Sequence, residues 1–360
     1  MSRTARAIIN TSALQHNLKQ VRNKAPNSKI MAVVKANAYG HGLERVARAL
    51  VDADAFAVAC LDEARRIRSA GLAHPIVLLE GVFSADELEE AGRSNFHVVV
   101  HSERQLAWIA SFRGAPLRVW LKMDTGMNRL GFRPEYFRKA WETLSASSSI
   151  SRPIGLLTHL ARANDRDQTF TQQQIDRFMQ ATNGMEGPRS IANSAGIYDW
   201  PGSHIDWIRP GIVLYGVSPF PDSTGPLLGL RPAMHLVSEL IAIRNVKAGE
   251  TVGYGGTWKA EEDTTIGIVA FGYGDGYPRH VESGAPVRIA TWRVPLVGTV
   301  SMDMLAVDMA TLPEGFQPGA PVELWGHAIP VEEVASSANT IPYELLLRLT
   351  ERVKMETCDE

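Results

Sequence analysis

Along the first two thirds of the chain, short apolar runs alternate with longer stretches whose apolar residues recur every three or four positions. The runs are Ile30–Val34, Asp54–Cys60, Pro75–Leu79, Phe96–Val100, Leu117–Met123, Ile154–Thr158 and Arg189–Ala192, and either Ile205–Ile208 or Ile212–Tyr215 supplies an eighth. Most are apolar throughout, which predicts strands covered on both faces. The helical stretches between them include one from Asn10-Thr11-Ser12 to about Lys24, then Leu43–Val51, Leu61–Ala70, Ser102–Phe112, Pro134–Leu144 and Phe170–Met179. Ser84-Ala85-Asp86-Glu87 has the Ser-x-x-Glu form of a capping box and predicts a helix start there. Eight such units in about 220 residues predict a (β/α)8 barrel, with a doubly wound open sheet as the alternative.

After about residue 230 the pattern changes. Pro219, Pro221, Gly225, Pro226 and Gly229 punctuate the chain, and apolar runs then follow without long helices between them: Met234–Arg244, Thr265–Phe271, Val287–Ala290, Val294–Val300, Leu305–Val307 and Val322–Trp325. This predicts a mostly β unit to about residue 330, with a last helix over Pro342–Val353. The expected division is a barrel over residues 1–228 and a β-rich unit over residues 229–360.

The residues with chemical potential cluster just after strands: Lys35, Lys122, Asp124, His159, Asn193, Ser194 and Arg209. Barrel enzymes carry their sites at that face. A lysine where a buried strand opens into a loop is partly desolvated, which disfavours the ammonium and suits Schiff-base chemistry. The same position also suits a lysine whose stem lines the strand while its charge reaches water.

Composition removes several classes. The formal net charge is -2 and the pI about 6.6, with no basic tract, so nucleic acid is not an expected partner. The basic start Met1-Ser2-Arg3-Thr4-Ala5-Arg6 leads into no long apolar segment, and no later run is long enough to span a membrane. Two cysteines, Cys60 and Cys358, predict neither a structural disulfide nor a cysteine zinc site. Together these features predict a cytoplasmic protein without a metal centre.

Val33–Gly42 reads VVKANAYGHG and resembles the pyridoxal-phosphate lysine motif of bacterial alanine racemases. The resemblance continues through LKMDTGMNRLG at Leu121–Gly131, LLTH at Leu156–His159, NSAG at Asn193–Gly196, IRPGIVLYG at Ile208–Gly216, TVGYGGT at Thr251–Thr257, FGYGDGYPR at Phe271–Arg279 and VGTVSMDM at Val297–Met304. It runs from about Arg6 to Val353. It implies interconversion of L- and D-alanine by two bases on pyridoxal 5'-phosphate, for peptidoglycan precursor supply or alanine catabolism.

By this resemblance Lys35 holds the cofactor aldehyde and is the base on one face of Cα, and Tyr254 is the base on the other. Tyr39, Ser194, the amides of Gly211 and Ile212, and Tyr343 hold the phosphate, with Asn193 beside them. His159 stands beside the cofactor ring and Arg209 faces the pyridine nitrogen. Arg129 binds the substrate carboxylate, as does the backbone N–H of Met302. Lys122 matches a lysine often carried as a carbamate. Tyr273, Asp303 and Ile341 belong to the entrance. Tyr254 and Met302 reach the site of the other subunit, so a homodimer is implied. Asn128 stands where the family commonly has glycine, and asparagine tolerates positive φ. A phenol near pKa 10 needs nearby cations to act as a base, and His159 and Arg209 are the candidates.

Two other readings compete, one an enzyme and one a non-catalytic cofactor carrier. A basic amino-acid decarboxylase of the same architecture places an acid at the pyridine nitrogen, where Arg209 stands. A single-barrel cofactor carrier lacks the β unit and Tyr254. Serine is the realistic rival substrate, because a methyl-sized pocket rejects an added hydroxyl only weakly.

Overall fold

A computed structural model of the chain describes residues 4–165 and 168–359. Met1-Ser2-Arg3 of the basic start lie outside the described residues. In chain order the strands are β1 (Arg6–Asn10), β2 (Lys29–Val33), β3 (Ala55–Val58), β4 (Ile76–Leu78), β5 (Phe96–Val100), β6 (Leu117–Lys122), β7 (Ile150–Leu157), β8 (Arg189–Ser190) and β9 (Trp207–Ile208). Strands β2 to β9 form a closed parallel barrel, with β9 pairing back onto β2. The open-sheet alternative is thereby excluded.

Alternation explains the closure. Met31 and Val33, Ala55 and Ala57, Val77, Val99, Trp120 and Leu157 point inward and fill the barrel. Their neighbours Ile30, Ala32, Phe56, Val58, Ile76, Leu78, Val98 and Val100 point outward into the layer of helices. Each strand therefore serves two cores, which is why its sequence is apolar on both faces. The eighth barrel strand is Trp207–Ile208, and Ile212–Tyr215 is a 3-10 turn.

Two of the predicted helix signals meet different fates. Asn10 caps α1 (Thr11–Lys24), its Oδ1 accepting the Ala13 N–H at 2.8 Å. The capping box at residues 84–87 does not form. That helix begins at Glu87, and the Glu87 carboxylate instead accepts the Phe83 N–H at 2.7 Å.

The second unit contains β10 (Met234–Val246), β11 (Thr251–Val252), β12 (Trp258–Lys259), β13 (Thr264–Val269), β14 (Pro286–Ile289), β15 (Trp292–Val297), β16 (Leu305–Asp308), β17 (Pro321–Trp325) and β18 (Lys354–Cys358). Its main sheet has the order β13-β16-β15-β14-β17-β10-β1-β18, and β13 also pairs with β10, closing a ring of six strands. The long β10 manages this because a bulge between Leu240 and Ala242 turns it from one partner to the next. Strand β1 is a surprise. It precedes the barrel in sequence but lies in the second sheet, antiparallel to β10 and parallel to β18. The predicted last helix is also shorter than expected, Pro342–Leu347, and the chain ends as strand β18.

Two contacts lock the units together near the barrel mouth. The Glu332 Oε1 accepts the N–H groups of Ser218 and Gly225, each at 2.8 Å, tying the linker to the helix Val331–Ser337. Gly40 packs against the Pro342–Leu347 helix so closely that a Cβ there would lie 2.2 Å from the Leu346 carbonyl oxygen.

Candidate active site

A cavity of about 980 Å³ opens at the carboxyl ends of the barrel strands and runs under the helices of the second unit. Lys35, Tyr39, Lys122, Arg129, His159, Asn193, Ser194, Arg209, Gly211, Ile212, Ile341 and Tyr343 all line it. Residues some three hundred positions apart in sequence are thus brought to one place by the barrel's geometry. Tyr254, Met302, Tyr273 and Asp303 do not line it. Tyr254 is 67% exposed and Met302 51% exposed, both on the second unit. Glu80, Asn164 and Ser336 also line the cavity and carried no signal in the sequence, since each is a lone polar residue in a loop or helix.

Lys35 follows β2 and opens a turn that the sequence did not announce. Ala36, Asn37, Ala38 and Tyr39 have φ of 54°, 53°, 54° and 51°, a left-handed helical turn built without glycine. Such a conformation costs roughly 1–2 kcal/mol per residue. It brings Tyr39 over the barrel, where its ring stacks on Tyr215 at 4.7 Å between centroids and meets Tyr343 at 5.9 Å. Tyr215 is itself fixed, its hydroxyl donating to the Val33 carbonyl at 3.1 Å.

A compact cradle forms beside the Tyr39 hydroxyl. The Gly211 N–H donates to Ser194 Oγ at 2.9 Å, and a Cβ on Gly211 would lie 2.6 Å from the Tyr39 hydroxyl. Only glycine leaves that space open. Asn193 caps the helix Ser194–Asp199, its Oδ1 accepting from Gly196 N–H at 3.0 Å and its Nδ2 donating to the Leu160 carbonyl at 3.1 Å. Its side chain is therefore engaged in holding Ser194 in place.

Cations crowd the floor. Arg209 is 4% exposed and donates to Ser190 Oγ and the Thr158 carbonyl, both at 2.5 Å, and to the Ile191 carbonyl at 3.1 Å. Burial lowers its pKa to about 10, so it stays protonated near neutrality. His159 sits beside it, Nδ1 3.5 Å from an Arg209 nitrogen. Burial, reinforced by Arg209 and by Lys122, Arg129 and Lys35, holds this imidazole well below its usual pKa. The same surroundings disfavour the imidazolium form of His159. Lys122 is lowered to about 8, first by burial and then by repulsion from Arg209, Arg129 and Lys35.

Arg129 projects from a loop built by Asp124, whose Oδ1 accepts the N–H groups of Gly126 and Asn128 at 2.9 and 3.1 Å. Asn128 has φ of 55°, as its place in a glycine position predicts. On the second unit, Arg352 joins Asp303 at 2.5 Å and buried Asp275 at 3.2 Å, which anchors the loop carrying Met302. Cys60 and Cys358 are free.

A parallel barrel with a lysine, a glycine-lined anion cradle and a buried arginine at its carboxyl face, roofed by a β unit, defines a two-unit barrel enzyme. The family model for the alanine racemase N-terminal domain matches residues 9–219, and that for the C-terminal domain matches residues 233–357. An alanine racemase of Halorhodospira halophila is 49% identical over 100% of this chain and 99% of its own length. The biosynthetic alanine racemase of Escherichia coli K12 is 50% identical over 99% of each chain. The crystal structure of the biosynthetic alanine racemase of Pseudomonas aeruginosa superposes with a TM-score of 0.95 at 44% identity, covering 99% of each chain. The chain belongs to the alanine racemase family of isomerases.

Proposed function

We infer that the chain interconverts L- and D-alanine with pyridoxal 5'-phosphate as cofactor, each site being completed by a second copy of the chain. The observation that carries this is the convergence of Lys35, the Tyr39–Ser194–Gly211 cradle and buried Arg209 on one cavity in a chain of this family. The residues present fit the cofactor. The cradle is open only because residue 211 lacks a Cβ, and it offers the Tyr39 and Ser194 hydroxyls to a phosphate, with the Gly211 N–H engaged by Ser194 Oγ.

Tyr39, Ser194, Gly211 and Ile212 hold the phosphate, Asn193 positions Ser194, and Tyr343 adds a hydroxyl from the second unit. Pyridoxal phosphate, when bound, withdraws electrons from the amino acid and makes its Cα–H acidic. His159 packs beside the ring. Arg209 would face the ring nitrogen and, keeping its proton, would leave electron withdrawal weaker than a carboxylic acid there would allow, which favours racemisation over transamination. Arg209→Glu is expected to raise pyruvate formation relative to racemisation by about tenfold or more; an unchanged ratio refutes the electronic argument.

Arg129 grips the alanine carboxylate with its guanidinium fork, aided by the Met302 N–H of the second copy. Lys35 exchanges the Cα proton on one face and Tyr254 of the second copy on the other. Tyr254 and Met302 are exposed on their own chain and absent from its cavity, which supports a shared site in a homodimer. Tyr273, Asp303 and Ile341 form the entrance. Lys122 carries a carbamate: its amine adds to carbon dioxide and loses a proton, leaving an anion that steadies Arg129. The lowered pKa of Lys122 supports this, and intact mass in bicarbonate buffer reads it directly.

No described helix is long and apolar enough to cross a membrane. The working place is the cytoplasm and the role is D-alanine supply for peptidoglycan, in line with the relatives named biosynthetic.

The test is L-alanine in heavy water with added cofactor. Decay of circular dichroism to zero with one deuterium at Cα is expected; arginine and lysine are expected to react much more slowly, and the rate with serine sets the substrate range. A constant signal and unlabelled alanine would remove the reading.

A further inference from the structure

The strained turn after Lys35 needs an external brace, and the structure contains one that lies outside the cavity. Within the turn, Ala38 N–H donates to the Val34 carbonyl at 2.9 Å and Gly40 N–H to the Ala36 carbonyl at 3.1 Å. The two amides directly after Lys35 have no partner inside the turn. Both point to Glu63: Oε1 accepts Ala36 N–H at 2.6 Å and Asn37 N–H at 3.4 Å. The other oxygen, Oε2, accepts Ala59 N–H at 2.9 Å, just past β3. One carboxylate therefore bridges the loops after two adjacent barrel strands. Glu63 sits in the first turn of the helix Leu61–Ser69 and does not line the cavity. Asn37 adds a weaker tie, its Oδ1 accepting from Leu43 N–H and Arg66.

We propose that Glu63 is a positioning residue whose carboxylate holds the left-handed Ala36–Tyr39 turn and so aims Lys35 and Tyr39 into the cavity. The proposal rests on Lys35 and Tyr39 being the cofactor-holding residues. Its chemistry is specific to a carboxylate. Both oxygens act only as acceptors, so a glutamine can serve one loop while presenting an N–H2 to donors of the other. Ala36, Ala38 and Tyr39 lack the tolerance for positive φ that glycine has, so the turn relaxes when the brace is lost.

The experiment uses the full-length protein stripped of cofactor and titrated with pyridoxal phosphate, following the visible absorbance of lysine-bound cofactor and then alanine racemisation. Loss of charge-assisted hydrogen bonds predicts that Glu63→Ala raises the half-saturating cofactor concentration and lowers kcat by about ten- to hundredfold each, with the KM for alanine within about threefold. Glu63→Gln is expected to fall between. The decisive variant adds Ala36→Gly to Glu63→Ala. Glycine enters the left-handed region without steric cost, so it should recover most of the loss. A charge or proton-transfer role for Glu63 would gain nothing from that glycine. Wild-type titration and rates for Glu63→Ala, or no recovery with Ala36→Gly in a folded chain, overturn the proposal. If Glu63→Ala does not fold, the same comparison runs on Glu63→Gln with and without Ala36→Gly. Lys35→Ala separates the two readings: a visible band that persists in it would refute the assignment of Lys35, not the geometry of the brace.

Discussion

Lys35→Ala is expected to abolish racemisation in both directions, by more than about 10⁴-fold. A positioned base alone is typically worth about 10²–10⁴, and here the same amine also attaches the cofactor. The purified variant should lack the visible absorbance of lysine-bound aldehyde while keeping the cradle formed by Tyr39, Ser194 and Gly211. It should therefore still take up pyridoxal phosphate, more weakly. Adding a small primary amine should restore part of the lost rate, because the gap left by the side chain is open to the cavity. Measurable racemisation without any added amine would show that another group removes the Cα proton on that face.

Tyr254→Phe should behave differently. Cofactor binding and its absorbance should match wild type, because the substitution leaves Lys35 and the Tyr39–Ser194–Gly211 cradle intact. Racemisation should fall by about 10²–10⁴ in both directions, the usual worth of a general base. Retention of wild-type rates both ways would contradict two-base exchange. Mixing makes the subunit assignment testable. When Lys35→Ala and Tyr254→Phe chains are co-expressed in equal amounts, half the dimers are mixed, and in each mixed dimer one site receives both lesions and the other neither. About a quarter of wild-type activity should return. If Tyr254 served the cavity of its own chain, every site would hold one lesion and mixing would restore nothing.

The barrel strands could be read from the sequence because each is buried on both faces and short, so a run such as Ile30–Val34 has few alternatives. Part of the cavity was readable for a related reason: Lys35, Lys122, His159, Asn193, Ser194 and Arg209 follow those runs closely, whereas Tyr39, Arg129, Gly211, Ile212, Ile341 and Tyr343 were reached only through the family resemblance. What escaped reading depends on contacts far away in sequence or on backbone geometry without a residue signature. Ala36-Asn37-Ala38-Tyr39 contains no glycine, so nothing marks its positive φ. Glu63 looks like an ordinary acid at a helix start. The Ser84–Glu87 box has the right letters, but Glu87 is drawn to the Phe83 amide and the helix begins later. His159 gives no hint of its charge state until Arg209 is seen beside it.

Strand β1 has a consequence for the order in which the molecule is assembled. Arg6 lies opposite Val237 on one side and Lys354 on the other. During synthesis this strand emerges before any of its neighbours exist, and it must wait with Ala7 and Ile9 uncovered until β10 and β18 arrive to bury them. None of the barrel strands β2 to β9 pairs with it. The first strand made is thus among the last to be seated. A nascent chain halted near residue 228 would hold all eight barrel strands with β1 still unpaired, the kind of exposed edge that holding chaperones cover.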